Sequence, residues 1–196
     1  MPALTPEARA GVDRFREMLI DANRSVNLVG ASTLGDFWNR HYLDSAQLLA
    51  LAPEARRWAD LGSGAGLPGV ILAIALRRAP GVQIHLVESV GKRCRFLESV
   101  VAELDLPAVV HNERAEAIAL DVDIVTARAV APLTRLLGYA RPSLGHRARG
   151  LFLKGSGAEQ EVADARRTWR FKSVIHPSLS DQRGRIVEIT ELRSAA

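Results

Sequence analysis

The chain has 196 residues and a mass of 21.3 kDa, 47% of its residues are hydrophobic, and its formal net charge is +4 with a pI near 9.8. This length supports one domain with a full hydrophobic core, and the single cysteine, Cys94, excludes a disulfide framework and a cysteine-rich zinc site. The longest apolar run, 66–76, is broken by Pro68 and Gly69, and the N-terminus lacks the pattern of a signal peptide. We therefore expect a cytoplasmic protein with no metal and no membrane segment.

Two helices are predicted before the first strand. The first has a threonine cap and an early proline, and its apolar residues continue at helical spacing from Thr5 to about residue 22. The second is predicted over 33–51, where leucines and aromatic residues form one apolar side. An amphipathic pair of helices thus precedes the rest of the chain.

The second helix carries two pairs of polar residues at a spacing of four. Arg40 and Asp44 share one face, as do His41 and Ser45. In the simplest interpretation Arg40 and Asp44 form an ordinary helix ion pair, and Ser45 lies at the surface. His41 is a candidate general base.

The most informative motif is Asp60-Leu-Gly-Ser-Gly-Ala-Gly-Leu-Pro-Gly69, between a predicted strand over 56–61 and a predicted helix over 68–78. Its glycines permit positive φ and a close approach of a ligand to the backbone amides that open the helix. The motif fits S-adenosylmethionine, but Gly64-Ala-Gly-Leu-Pro-Gly69 also satisfies the dinucleotide fingerprint. Two cofactor classes, and the simpler alternative of a tight turn, remain open on this pattern alone.

Helices and strands alternate through the rest of the chain. This alternation predicts an α/β fold with a mostly parallel sheet, helices on both faces and a C-terminal antiparallel hairpin. The predicted strands are 82–88, 107–111, 122–127 and 149–154. The predicted helices are 91–104, one opening at Pro132 and one over 158–168, and a short turn or helix covers 114–119. The hairpin covers 170–176 and 184–191.

Charged residues follow several predicted strands, at the sheet edge where open α/β folds bind ligands. Glu88 ends the second strand, where an acidic residue binds ribose hydroxyls. Arg128 interrupts a run of small apolar residues after the fourth strand, and Lys154 ends the fifth. Lys92 and Arg93 open the next helix, where the helix dipole disfavours cations, which suggests an external anion or a salt bridge to Glu88.

Together, these stretches resemble the RsmG (GidB) family of small-subunit ribosomal RNA guanine-N7 methyltransferases. The resemblance covers most of the chain in the expected order. It rests on Asn27-Leu28, Arg40-His-Tyr-Leu-Asp-Ser45, the glycine motif, Glu88-Ser-Val-Gly-Lys-Arg93, Arg114-Ala-Glu116, Thr126-Ala-Arg-Ala-Val-Ala131 and Leu153-Lys-Gly155.

The resemblance implies a Rossmann-like class I methyltransferase fold in one domain, 1–196, with a helical extension over 1–52 and an S-adenosylmethionine-binding core over 53–196. It implies methyl transfer to N7 of a guanine in 16S ribosomal RNA, with the RNA or the small-subunit particle as partner and a monomer as the expected state. Alternatives are a methyltransferase acting on a small molecule or protein, an NAD-binding oxidoreductase and a catalytically silent RNA-binding module.

The resemblance also implies a set of site residues. No residue is assigned to proton transfer, and Arg128 and Lys154 are candidates for shaping the pocket. The expected cofactor-binding residues are Gly62, Gly64, Leu67, Glu88, Ala115, Glu116 and Arg128, and the expected RNA-binding residues are Arg40, His41, Lys92 and Arg93.

Overall fold

In a computed structural model of the chain, which describes residues 4–145 and 147–195, seven strands form one sheet in the order β3-β2-β1-β4-β5-β7-β6. The first five strands are parallel, whereas β7 runs antiparallel to both β5 and β6. The predicted α/β fold with a C-terminal antiparallel hairpin is therefore confirmed. The strands are β1 (Arg57–Leu61), β2 (Gln83–Val87), β3 (Ala108–His111), β4 (Ile124–Arg128), β5 (Arg149–Lys154), β6 (Trp169–Pro177) and β7 (Arg185–Ser194).

Seven α-helices accompany the sheet in the described residues. They are α1 (Pro6–Val26), α2 (Asp44–Ala46), α3 (Leu48–Leu51), α4 (Gly69–Leu76), α5 (Gly91–Glu103), α6 (Leu133–Leu144) and α7 (Ala158–Ala165). Apolar residues of α1, α4 and α5 pack in one buried cluster, and those of α6 and α7 pack in a second. Because successive residues of a strand face opposite sides, Trp58 of β1 lies in the first cluster and Ala59 in the second.

The segment predicted as one helix over 33–51 is not continuous. A 3₁₀ helix over Ala31–Asp36 is followed by a wide π-helical turn over Trp38–Leu43 and then by α2 and α3. The buried hydroxyl of Ser45 donates to the carbonyl of His41 at 2.7 Å, and such back-bonding to the preceding turn competes with the regular helical ladder. Ser45, expected at the surface, is thus fully buried.

The other predicted elements lie within a few residues of the observed ones. The first helix extends to Val26 and ends where Asn27 takes a left-handed conformation with φ 49°. In the described part of the chain, no helix combines the length and the apolar character needed to cross a membrane.

Candidate functional site

Asp60 holds the glycine turn in place from the core side. Its side chain is buried, with one oxygen accepting from the amide of Gly69 at 3.0 Å and the other from the hydroxyl of Thr126 at 3.2 Å. Burial raises the pKa of Asp60 to about 6, although these hydrogen bonds oppose the shift. Asp60 therefore holds the turn and the start of α4 in place from within the core.

The raised pKa of Asp60 predicts a pH-dependent stability. Because the folded chain keeps this proton up to about pH 6 while the unfolded chain releases it near 3.8, Asp60 lowers the free energy of unfolding as pH rises between these values. The full effect is about 3 kcal/mol. Urea unfolding from about pH 4 to about pH 7 should show the stability of wild type falling relative to Asp60→Asn by most of this amount, about 2 kcal/mol. A difference that is independent of pH would contradict this prediction.

The open side of the glycine turn lies beside Glu88. One carboxylate oxygen of Glu88 accepts from the amide of Gly64 at 3.0 Å, and the other accepts from the amide of Val90 at 2.8 Å. Gly62 and Gly64 have φ of +66° and +53°, a conformation that favours glycine. Glu88 is only 4% exposed, and a Cβ at Gly64 would lie in ordinary van der Waals contact, 3.6 Å from the carbonyl oxygen of Gly62 and 4.0 Å from a carboxylate oxygen of Glu88. There is thus room for a methyl-sized group beside this carboxylate.

Gly62 and Leu67 contact the protein interior. A Cβ at Gly62 would come within 2.7 Å of Cγ2 of Val130, because the chain after β4 packs directly on the glycine turn. Leu67 is only 3% exposed and belongs to the hydrophobic core. The structure therefore gives Leu67 a packing role, and its predicted contact with a cofactor stays a prediction.

The two cations at the start of α5 have different surroundings. The guanidinium of Arg93 lies 3.7 Å from a carboxylate oxygen of Glu88, whereas the side chain of Lys92 is exposed. Of the two interpretations left open by the sequence, the salt bridge to Glu88 applies to Arg93. Lys92 is the better placed of the two for an external anion.

Ala115 and Glu116 lie in a short 3₁₀ helix after β3, at the same sheet edge as Glu88. Ala115 packs against the second buried cluster, and Glu116 is exposed. Asn112, just after β3, donates to the carbonyl of Glu88 at 3.2 Å and ties this connection to the end of β2. Glu88, Ala115 and Glu116, three of the predicted cofactor residues, thus follow paired parallel strands that end at one edge of the sheet.

Glu88 and the glycine turn suit a ligand that has a ribose and an uncharged part that can lie against the backbone of the turn. Glu88 has lone pairs beyond the two used by amides, and carboxylate oxygens accept from the two hydroxyls of a ribose. The missing Cβ of Gly64 leaves room for a methyl-sized group beside them. This arrangement suits S-adenosylmethionine or a dinucleotide, and the cofactor contacts expected of Gly64 and Glu88 stay predictions.

A cavity of about 1100 Å³ opens next to the glycine turn, on the other side of the chain that follows β4. Its walls come from segments far apart in the sequence, namely 28–30, 128–132, 153–155 and 180–184, together with Thr33, Arg40, His41, Asp44 and Glu161. Val130 lines this cavity and also packs on Gly62, so it separates the cavity from the glycine turn. The cavity and the region around the glycine turn, the two compartments of the site, therefore meet at Val130.

Arg128 joins the core to the N-terminal segment. Its guanidinium donates to the carbonyl of Arg40 at 3.0 Å, lies 3.3 Å from the Nδ1 atom of His41 and forms an ion pair with Asp44 at 3.3 Å. The predicted helix ion pair between Arg40 and Asp44 is therefore wrong, because Asp44 pairs with Arg128 instead. Arg128 lines the cavity, as its predicted pocket-shaping role requires.

His41 is held in the neutral form. A guanidinium only donates, so Nδ1 accepts from Arg128, and Nε2 carries the hydrogen that bonds to the hydroxyl of Thr33 at 2.9 Å. Burial, with Arg128 and Arg40 nearby, lowers the pKa of His41 to about 4. Both ring nitrogens are engaged, which argues against a general base, and the predicted contact of His41 with RNA stays a prediction.

Lys154 braces the wall between the two compartments. Its ammonium donates to the carbonyl of Ala131 at 2.7 Å and pairs with Glu161 at 2.8 Å, and Glu161 also accepts from the amide of Leu133 at the start of α6. The side chain is 9% exposed. Lys154 therefore fixes the connection between β4 and α6, in keeping with a pocket-shaping role.

Sequence reasoning missed one wall of the cavity, the connection between β6 and β7. Three polar residues of the N-terminal segment, Asn39, Asp44 and Gln47, bond to this connection over 178–180. Gln47 is only 2% exposed, although it stands in a segment predicted to be amphipathic. No local pattern marks these contacts, since their partners are more than 130 residues apart in the sequence.

Comparison with known proteins identifies close relatives. A family model described as "rRNA small subunit methyltransferase G" (GidB) matches residues 9–189. A "Ribosomal RNA small subunit methyltransferase G" of Caulobacter vibrioides (strain NA1000 / CB15N) is 58% identical over 179 residues, covering 91% of this chain and 83% of the relative. One with the same name from Parvibaculum lavamentivorans is 46% identical over 197 residues, covering 97% and 87%.

Solved structures show the same fold at low identity. The O-methyltransferase TomG from Streptomyces achromogenes, solved in complex with S-adenosylmethionine, superposes with a TM-score of 0.60 and 17% identity, covering 91% of this chain and 90% of TomG. At this identity the likeness concerns the fold alone. The sheet order and the helices on both faces are thus those of a methyltransferase fold.

Proposed function

The chain belongs to the GidB family of rRNA small subunit methyltransferase G, and we propose that it transfers a methyl group from S-adenosylmethionine to N7 of a guanine in 16S ribosomal RNA. Family membership makes it an S-adenosylmethionine-dependent methyltransferase with ribosomal RNA as substrate. The position of the methyl group on the base, N7, and the roles of individual residues are the proposed part.

The observation that carries the proposal is the pairing of two compartments on either side of Val130. One contains the glycine turn and Glu88, and the other is a cavity of about 1100 Å³ with arginines in its wall. A pocket of this size accommodates a nucleotide removed from its stack, and arginine suits the flanking phosphates. A small-molecule substrate would not require the exposed Arg40 at the rim.

In the proposed assignment, the cofactor lies along the carboxyl edge of β1, β2 and β3. Glu88 accepts from the ribose hydroxyls, and Gly64 leaves the room for it beside this carboxylate. Gly62 and Leu67 shape the turn, Ala115 and Glu116 border the adenine, and Arg128 completes the compartment. Arg40 and Lys92 contact the RNA, whereas His41 and Arg93 act through Arg128 and Glu88, the groups that they contact.

The absence of an assigned acid or base agrees with N7 as the target. Guanine N7 carries an in-plane lone pair and no proton, so a bound sulfonium cofactor supplies both the methyl group and the leaving group. The residues of this chain then contribute alignment, which is worth about 7–11 kcal/mol of the barrier in well-oriented reactions. Neutral His41 fits this scheme because it orders Arg128 without exchanging a proton.

Tritiated S-adenosylmethionine tests the proposal directly. The purified protein is incubated with 16S ribosomal RNA and, in parallel, with small ribosomal subunits, and the RNA is digested and mapped for N7-methylguanosine. We expect label at one guanine. Label at another atom of guanine would contradict the N7 assignment, and transfer to protein or small molecules but not to RNA would contradict the RNA substrate. The two arms also show whether naked RNA or the particle is the substrate.

The cellular location and the oligomeric state complete the proposal. Ribosomal RNA as a substrate supports action in the cytoplasm. We propose a monomer, since both compartments are built from one chain. Light scattering coupled to size-exclusion chromatography measures this state, and a stable dimer would contradict it.

A further inference from the structure

Two guanidinium groups at the cavity have no carboxylate partner among residues 4–145 and 147–195. Arg40 comes from the π-helical turn of the N-terminal segment, and Arg183 comes from the connection between β6 and β7. Both are exposed and both line the cavity, on walls that are far apart in the sequence. The family resemblance assigned no role to Arg183.

Four of the other charged side chains of the cavity wall form two ion pairs. Arg128 pairs with Asp44 at 3.3 Å, and Lys154 pairs with Glu161 at 2.8 Å. The remaining carboxylate in the lining is that of Asp181. One of its oxygens accepts from the backbone amide of Arg183 at 2.8 Å. Within the part of the chain that the structure describes, the lining therefore carries two unpaired guanidinium groups against one unpaired carboxylate, a net positive charge that favours an anion.

The connection that carries Arg183 is fastened to the N-terminal segment. The buried amide of Gln47 accepts from the amide of Leu179 at 2.7 Å and donates to the hydroxyl of Ser178 at 3.1 Å. The hydroxyl of Ser180 donates to Asp44 at 2.7 Å. Because Asp44 also binds Arg128, the position of this connection is set by the same group that shapes the cavity.

The tip of the connection is also ordered from the sheet side. The guanidinium of Arg185 donates to the carbonyl groups of Gln182 and Gly184 at 3.0 and 2.8 Å. Gly184 is buried, and a Cβ there would come within 2.9 Å of Cβ of Ser178. Arg183 is therefore presented by a tight turn that is held at both ends, which lowers the entropic cost of using its side chain for binding.

We propose that Arg183 binds a phosphate of the RNA strand that carries the target guanine, together with Arg40 on the adjoining wall of the cavity. This inference rests on the proposed function and names a contact that it did not include. Guanidinium groups bind phosphate oxygens through two parallel hydrogen bonds, and phosphate contacts fix the register of a protein on RNA. The two arginines hold the RNA backbone next to a base that enters the cavity.

The test compares Arg183→Gln with a matched control, Arg193→Gln. Arg193 is also exposed and is not engaged in any ion pair of the described residues, but it lies near the other end of β7, away from the cavity. Affinity for a 16S ribosomal RNA transcript is measured by filter binding over a series of salt concentrations. We expect Arg183→Gln to weaken binding about three- to tenfold and to reduce the salt slope by about one, with no such change in the control.

Further variants separate charge from structure. Arg183→Lys should retain most of the affinity, and Arg183→Glu should lower it further than Arg183→Gln, while the Kd for S-adenosylmethionine stays that of wild type in all three. The inference is overturned if Arg183→Gln matches Arg193→Gln in affinity and salt slope. The proposed function fails by a different result, namely a wild-type protein that binds S-adenosylmethionine but methylates no RNA.

Discussion

Replacing Gly62 by valine is expected to lower the rate of methyl transfer about 100-fold, since a displacement of about 1 Å at a positioned site has an effect of this size. The backbone at Gly62 has φ +66°, which a β-branched residue rarely adopts, and a Cβ would come within 2.7 Å of Cγ2 of Val130. Either the glycine turn or the chain after β4 must move. Both belong to the wall between the proposed cofactor and target compartments.

Gly81 provides the matched control for this substitution. It also has a left-handed conformation, with φ +71°, but a Cβ there would have no neighbour within 4 Å, and the residue is exposed in the turn before β2. Gly81→Val should therefore lose about 1–3 kcal/mol of stability from backbone strain and keep its activity. The double variant Gly62→Val/Val130→Ala, which removes the colliding methyl groups, should recover part of the activity.

The measurements are single-turnover methylation of RNA and calorimetric titration of S-adenosylmethionine, with thermal unfolding to show that each variant is folded. Gly62→Val that binds the cofactor and methylates RNA at the rate of Gly81→Val would contradict the assignment of the glycine turn. An equal loss in both glycine variants would show that strain alone, and not the contact with Val130, determines the effect.

Local patterns predicted the parts of the fold that depend on local chemistry. The glycine turn follows from three glycines with positive φ, at 62, 64 and 66, between an apolar strand and an apolar helix. Glu88 follows from its place at the end of the second strand. Such signals are readable because both the cause and the effect lie within a few residues of each other.

The remainder depends on contacts between distant residues. The apolar spacing over 33–51 is that of a regular helix, yet the segment is interrupted where Ser45 bonds back to His41 and where His41 and Asp44 contact Arg128, more than 80 residues away. The β6–β7 connection became part of the cavity wall only through Gln47 and its neighbours. The spacing of four residues predicted Arg40 as the partner of Asp44. That prediction is wrong for the same reason, because Asp44 pairs with the distant Arg128.

Glu88→Ala is expected to raise the Kd for S-adenosylmethionine at least about 100-fold, because hydrogen bonds to a charged group contribute about 1.5–3 kcal/mol each and two ribose hydroxyls lose their acceptor. The change also leaves the amides of Gly64 and Val90 without the carboxylate that they now bind. Both effects act on the cofactor compartment. Because Glu88 lies away from the transferred methyl group in this assignment, the rate at saturating cofactor should fall far less than the affinity.

Glu88→Gln and Glu98→Ala sharpen this experiment. Glutamine keeps the volume and one acceptor oxygen but places an NH₂ group against one of the two amides, so its affinity should lie between those of wild type and Glu88→Ala. Glu98 is exposed on α5 and its replacement should leave the affinity unchanged. Calorimetry gives the Kd, and methylation at saturating cofactor gives the rate. A Glu88→Ala variant that remains folded and binds S-adenosylmethionine as tightly as Glu98→Ala would show that the ribose lies elsewhere, and would remove the basis for aligning the cofactor along the edge of β2.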